Sequence, residues 1–362
     1  MSHPTISPPR AWAEICFSAL KHNLAYIRNH SKQKVMAVLK AGAYGHGIEQ
    51  IALAIDSEEL AYFGVASVIE ARKLSDAGIQ TPIYLLGPTL PDERKEIIEN
   101  GWTPSISSLE EADDFNQLAI DGNANPVHIT LDTGMGRGGF LPAALDNAVD
   151  YVSNLPNIKI EGIGSHLPSA DEDRGFTLQQ FTTFEAAVEG KPYKYIHLAN
   201  SAGLLDYSSS VTNLARPGLM LYGIAPITSY QHELQPVMTL KSRVSLIRTL
   251  PAGHGVSYGR DAILKSDTRV ATIGAGYGDG YPRALSNNGA EVLIRGQRCP
   301  VLGRVTMDQI MVDVNDLPSC KSGDEVELFG VNILVSEIAE RANTIAWEVL
   351  TGITPRVTRI YQ

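Results

Sequence analysis

Cysteine is nearly absent from this chain. Its 362 residues hold three, Cys16, Cys299 and Cys320, too far apart to form a metal-ligand cluster. An odd count without close spacing fits a reducing compartment better than a disulfide-stapled secreted scaffold. No run approaches the ~18 apolar residues of a membrane span, and the opening "MSHPTISPPR" has no apolar core of a secretion signal. A cytoplasmic location and no membrane partner are therefore expected. Positive charge is the minority sign, with 30 Lys plus Arg against 40 Asp plus Glu and a net charge of −10. Basic residues are not interleaved with aromatics, so no nucleic-acid partner is expected. The chain also lacks a GxGxxG after its first apolar run and the GKS/T ending of a P-loop, which argues against the common nucleotide-binding designs. Polar loops occur without metal-ligand spacing, so no metal site is expected. No repeat and no low-complexity tract is present. What remains is an ordinary globular composition, 44% hydrophobic with 32 glycines and 20 prolines, long enough for two domains.

Up to Gly223 short apolar runs alternate with longer amphipathic ones. The strand candidates are "VMAVLK" (35–40), "AYFGVA" (61–66), "PIYLLG" (82–87), "TPSIS" (103–107), "VHITLD" (127–132), "KIEGIGSH" (159–166), "YIHLAN" (195–200) and "GLMLYG" (218–223). Helix signals lie between most of them. "IEQIALAIDS" (48–57) is one, "SVIEARKLSDAG" (67–78) ends on a capping glycine, and "SLEEADDFNQLA" (108–119) opens with the Ser108/Glu111 spacing of a capping box. Eight strands with helical crossovers predict a TIM-type (β/α)₈ barrel; an open doubly wound sheet is the runner-up. After a breaker-rich connection, "MTLKSRVSLIRTL" (238–250), "TRVATIGAG" (268–276), "AEVLIRG" (290–296), "QIMVDV" (309–314) and "DEVELFG" (324–330) read as strands divided by Gly and Asn/Asp turns. The expected division is a barrel over 1–232 and a mostly β domain over 233–362, with about the first 15 residues packing with the β domain.

In a barrel the C-terminal ends of the strands form the functional face. "AVLKAGAYGHG" (37–47) delivers Lys40 to that face, with Tyr44 and three glycines after it. A partly desolvated lysine has a lowered pKa and can serve as an amine nucleophile or base. A strand-end lysine in solvent followed by an ordinary turn gives the same pattern. "LDTGMGRGG" (131–139) offers Arg137 as an anion clamp, and "SHLPSADED" (165–173) puts His166 at the same rim. "YIHLAN" ends on Asn200, next to Ser201, and "RPGLMLYG" (216–223) sets Arg216 and Pro217 at the start of the eighth candidate strand. Loops after strands seven and eight commonly hold phosphate on backbone N–H groups. In the second domain "GHGVSYGR" (253–260), "GAGYGDGYPR" (274–283) and "GRVTMDQ" (303–309) are glycine- and tyrosine-rich loops.

Seven of these motifs, in this order, resemble the alanine racemase family, fold-type III enzymes that use pyridoxal 5′-phosphate: "AVLKAGAYGHG", "LDTGMGR", "HLANSAG", "RPGLMLYG", "VSYGR", "GYGDGYPR" and "GRVTMDQ". The resemblance covers nearly the whole chain. It implies that Lys40 anchors the cofactor and acts as base on the D-isomer side, while Tyr258 of a second subunit acts on the L-isomer side. Inversion requires a base on each face of Cα. It further implies His166 as the partner that tunes the tyrosine, Arg216 at the pyridine nitrogen with His197 behind it, and Asn200 among the cofactor-binding residues. Tyr44, Ser201 and the backbone of Gly218 and Leu219 would meet the phosphate. Arg137, Tyr277 and the Met307 backbone of the second subunit would meet a small amino-acid substrate. The implied assembly is a homodimer with shared active sites, and the implied activity interconverts L- and D-alanine for peptidoglycan precursors.

Three positions depart from the family pattern. Thr130 stands where many members have a carbamylated lysine that holds the arginine of the motif, so another acceptor or a bound anion such as chloride is expected beside Arg137. Thr306 replaces a common cysteine, and Pro355 replaces a phosphate-binding tyrosine found in some members. Both bases remain. The alternatives are a broader or serine-preferring racemase on the same scaffold, since one polar atom separates the side chains, and a non-catalytic protein that binds the cofactor.

Overall fold

A computed structural model of the chain describes residues 9–119 and 124–362. It divides into two compact units. One comprises Lys21–Ala43 and Gly47–Leu234; the other comprises the residues up to Leu20, Tyr44–His46 and Gln235–Gln362.

The larger unit is a (β/α)₈ barrel. Strands Lys34–Val38, Tyr62–Val65, Ile83–Leu85 and Leu214–Ala215 form one parallel sheet, and Ser105–Ile106, Asn125–Thr130, Ile158–Gly164 and Tyr195–His197 another. Short links close the ring. Thr103 bridges Tyr84, with Leu85 N–H donating to Thr103 O at 2.9 Å, and Asn213 N–H donates to Ile196 O at 3.0 Å. Helices cross between strands as their periodicity predicts. In Val68–Asp76 the Ser67 side chain accepts from Glu70 N–H, and in Leu109–Leu118 Ser108 accepts from Glu111 N–H. The capping box at Ser108 is only half closed. The Glu111 carboxylate turns instead to Ser107 N–H at 2.7 Å.

The eighth strand is corrected. The segment 218–223 is not extended: Leu219–Tyr222 form a 3₁₀ turn that ends on Gly223 in the left-handed region, at φ 83°. The strand is Leu214–Ala215, four residues earlier. Pro217 has no N–H for a ladder. The Ser201 hydroxyl takes the N–H groups of Gly218 and Met220, which curls the chain there.

The second unit is mostly β. Its eight-stranded sheet runs, in order, Thr268–Ile273, Ile310–Asp313, Gln297–Leu302, Glu291–Ile294, Glu325–Phe329, Met238–Leu250, Ala11–Ile15 and Thr358–Tyr361. The long strand Met238–Leu250 also pairs with Thr268–Ile273, joining the sixth strand of that order back to the first. Ala11–Ile15 lies in this sheet, antiparallel to Met238–Leu250. The five runs expected here are strands. Ala11–Ile15, Gln297–Leu302, Thr358–Tyr361 and two short helices, Val335–Arg341 and Ala346–Thr351, add to them. Among the described residues no helix is long and apolar enough to cross a membrane.

Candidate active site

Lys40 follows the first barrel strand, and the chain then does something rare for L-residues. Ala41, Gly42, Ala43 and Tyr44 all have positive φ, between 52° and 63°. This is one turn of left-handed helix, which costs roughly 1–2 kcal/mol for each residue with a Cβ. Small side chains at three of the four positions limit the crowding. The turn is pinned by Ala43 N–H to Leu39 O (2.7 Å) and by Gly42 N–H to the Glu70 carboxylate (3.2 Å). Such a backbone strain next to a candidate nucleophile marks a position held for function. Burial and then the Arg137 charge push the Lys40 amine below its ordinary pKa; Arg216 adds to this, and Glu70 opposes it.

Val38 N–H donates to Pro217 O at 3.1 Å, which sets the end of strand one beside the end of strand eight. Because that strand ends at Ala215, Arg216 emerges at the rim. Its guanidinium is buried and heavily engaged. One nitrogen donates to His197 Nδ1, and the other to Ser165 O (2.5 Å) and Leu198 O (3.1 Å), with His166 Nδ1 at 3.4 Å. Burial lowers the guanidinium to about 10, so it stays charged at neutral pH. His166 is pushed down to about 3 by burial, then by Arg216, Arg137 and Lys40. His197 falls well below its ordinary value for the same reasons, burial first and Arg216 next. Both imidazoles are therefore neutral. Three cations, Lys40, Arg137 and Arg216, converge here with one carboxylate, Glu70, among the groups that shift Lys40.

Ser201, Gly218 and Leu219 come together at the same rim, with Ser201 Oγ 3.0 Å from Gly218 N. Asn200 is next to them, but both ends of its amide are used. It caps helix Ser201–Asp206 at Gly203 N–H (3.0 Å) and donates to Leu167 O (2.9 Å). Arg137 sits on the loop after strand five. Asp132 organises that loop by accepting from the N–H groups of Gly134, Met135 and Gly136. Arg137, Thr130 and His166 line a cavity of about 40 Å³ with Leu86, Ser107 and Met135, room for little more than a water molecule or a small anion. Thr130 is the last residue of its strand. No hydrogen bond or ion pair holds Arg137 among the described residues, so the expected protein acceptor is not found there. Glu70 and Ser165 were not singled out in the sequence. A Ser67–Glu70 capping pattern is visible, but nothing local reveals that Glu70 reaches Gly42.

In the β unit Tyr258 sits on a 3₁₀ turn at the tip of a short hairpin, Gly255–Val256 with Ala262–Ile263, and is 71% exposed. Ser257 Oγ donates to Arg304 O at 2.6 Å and fixes the turn. Gly259 lies against the Arg304 guanidinium, where a Cβ would come within 2.7 Å of Cζ. Tyr277 and Met307 are brought together: Gly278 N–H donates to Met307 O at 2.8 Å and Tyr277 N–H to Thr306 O at 3.0 Å. Thr306 closes its own turn by exchanging bonds with Gln309. Arg356 braces the loops through Asp279 and Asp308, and Pro355 beside it is exposed. Tyr44 is buried, which lifts its phenol to about 12.

Residues 15–226 match the family model described as the N-terminal domain of alanine racemase, and residues 237–361 match that of its C-terminal domain. The chain belongs to the alanine racemase family. It is 39% identical over 368 residues to the alanine racemase of Halothermothrix orenii, covering 97% of this chain and 96% of that one. With the enzyme of Methylacidiphilum infernorum it shares 40% over 364 residues, 98% of this chain and 93% of the relative. Among solved structures, the alanine racemase of Clostridium difficile 630 superposes with a TM-score of 0.90 at 34% identity, covering 98% of this chain and 96% of that one. The alanine racemase of Bartonella henselae, a structure with covalently bound pyridoxal phosphate, gives 0.91 at 30% identity, covering 98% and 100%.

Proposed function

We propose that this chain interconverts L- and D-alanine with pyridoxal 5′-phosphate, Lys40 serving as cofactor anchor and as one base, and Tyr258 of a second subunit as the other. The chain is an enzyme, an amino-acid isomerase. The observation that carries the assignment is the Lys40 amine, desolvated on a strained turn at the barrel rim and facing Arg137 and Arg216.

The donor set suits the cofactor. Three cations against one carboxylate leave uncompensated positive charge, which a phosphate and a substrate carboxylate would balance. Ser201 and the backbone of Gly218 and Leu219 would take the phosphate, with Tyr44 as a further contact. When bound, the cofactor supplies an electron sink that makes the α-proton of an amino acid acidic. Every other task falls to the chain. Lys40, its pKa lowered by burial and neighbouring positive charge, holds or accepts a proton on one face of Cα. Arg216 keeps its own protons and is assigned to the ring nitrogen, to which it would offer a hydrogen bond without giving up a proton. Arg137 and the Met307 backbone of the second subunit would orient the substrate carboxylate, and Tyr277 would line its entry. His166, neutral beside Arg216, is assigned to tuning Tyr258.

The exposed Tyr258 supports a homodimer in which it completes the partner's site. Within 1–232, the barrel that follows the first strand, Ala11–Ile15, is the cofactor-binding part, and 233–362, with that strand, is the domain that lends Tyr258. The product enters cell-wall precursors in the cytoplasm. The test is a racemisation assay of the cofactor-loaded protein with a panel of L-amino acids, serine included, and Lys40→Ala as control. Alanine turnover that vanishes in the variant is expected. Failure to turn over alanine would overturn the assignment.

A further inference from the structure

The middle of a TIM barrel is ordinarily filled by layers of branched apolar side chains. Here a column of polar groups runs through it. Arg216 donates to His197 Nδ1; His197 Nε2 lies 2.8 Å from His128 Nδ1; His128 Nε2 lies 3.5 Å from the Tyr62 hydroxyl. Tyr62 donates to Glu161 Oε2 at 2.5 Å, and Lys194 Nζ donates to Glu161 Oε1 at 2.8 Å. The column starts at the C-terminal rim with Arg216. It ends where strand two begins, at Tyr62, and where Lys194 is 56% exposed. His128 is wholly buried among the rings of Tyr62, Tyr84 and Tyr195. Two glycines of strand six make room for the imidazoles. A Cβ at Gly162 would come within 2.7 Å of the His128 ring, and one at Gly164 would overlap His197.

Counting protons gives this column a direction. A guanidinium only donates, so His197 Nδ1 must accept and its proton sits on Nε2. That N–H can only go to His128 Nδ1, so the His128 proton is also on Nε2, aimed at Tyr62. At the far end a carboxylate only accepts. Tyr62 therefore spends its single proton on Glu161 and must accept from His128. Burial alone would raise Glu161, but the hydrogen bonds of Lys194 and Tyr62 outweigh it and hold the carboxyl below its ordinary value. Burial, then Glu161, raises Tyr62, so its proton stays on the phenol. His128 is lowered to about 3, by burial first, and is neutral. The reverse sense would set a His197 N–H against an Arg216 N–H.

We propose that Tyr62, His128, Glu161 and Lys194 are positioning residues for Arg216: a donor chain whose sense is locked from the opposite mouth of the barrel and which fixes the His197 tautomer that holds the guanidinium. The proposal rests on the assignment of Arg216 to the cofactor ring.

Histidine ¹⁵N NMR of the cofactor-loaded enzyme tests it, paired with kinetics of Tyr62→Phe and Glu161→Gln. The wild type should show His128 and His197 protonated at Nε2 alone. Tyr62→Phe strands the His128 Nε2–H without its acceptor, so the Nδ1-protonated form should appear at both rings in the fraction of molecules whose Arg216–His197 bond gives way, and kcat should fall on the order of tenfold, as loss of an outer-layer orienting bond does, with KM for L-alanine nearly unchanged. Glu161→Gln keeps the shape and removes the obligatory acceptor, so it should shift the tautomers in the same direction even where Tyr62→Phe fails to fold. Unchanged tautomers in a folded variant would overturn the proposal, whatever happens to activity. So would a wild type protonated at Nδ1. A wild type with the expected tautomers but no alanine turnover would sink the functional assignment and leave the locked column standing.

Discussion

At the scale of single residues, the site works by setting protonation states through burial. Lys40 is lowered, Arg216 comes down only to about 10, and the rim and core histidines are held neutral. This arrangement has a consequence for stability. His128 and His166 titrate near 3 in the folded chain and near 6.5 unfolded, so below about pH 6.5 the unfolded state binds more protons. Stability should be full above that pH and fall as pH drops toward about 3, by up to ~1.4 kcal/mol per pH unit for each histidine. Thermal melts across this window check it; a midpoint that is flat from neutral pH down to about 4.5 would contradict buried neutral histidines. Replacement of Tyr258 by Phe tests the two-base assignment. Proton abstraction from L-alanine should fall far more than abstraction from D-alanine, read as solvent-deuterium incorporation in each direction. Equal, unimpaired rates would rule Tyr258 out as a base.

At the scale of elements, glycine placement decides whether the column fits. Gly162→Ala puts a methyl against the His128 ring in a strand that cannot give way, and overpacking of this kind costs about 1–3 kcal/mol. A lowered melting temperature is expected; a melting temperature equal to wild type would show that the ring has space. Elements are also where the sequence is most and least legible. Met238–Leu250 could be read end to end, because an unbroken β-rich run has one reading. The eighth barrel strand could not. "GLMLYG" has the composition of a strand, and the Ser201 hydroxyl that curls it comes from 17 residues upstream. The left-handed turn after Lys40 was hinted at by its small residues, yet only the backbone angles reveal Ala41, Ala43 and Tyr44 in that conformation. Likewise His128 and Glu161 sit in ordinary strand patterns, and nothing local marks them as facing one another through the barrel.

At the scale of the whole molecule, the account requires two chains. In the proposed mechanism Lys40 serves one face of the α-carbon only, and Tyr258 is exposed at a hairpin tip, where it is open to another surface. A site completed by a partner makes a strong prediction about mixtures. In a dimer of one Lys40→Ala chain and one Tyr258→Phe chain, one site loses both bases and the other keeps both. The direct measurement is L-alanine racemisation after the two inactive variants are dissociated together and reassociated. Activity should return to roughly a quarter of the wild-type value, as statistical mixing of two chains dictates. A mixture as inactive as either variant alone, with mixed dimers shown to be present, would contradict a shared site and with it the central assignment.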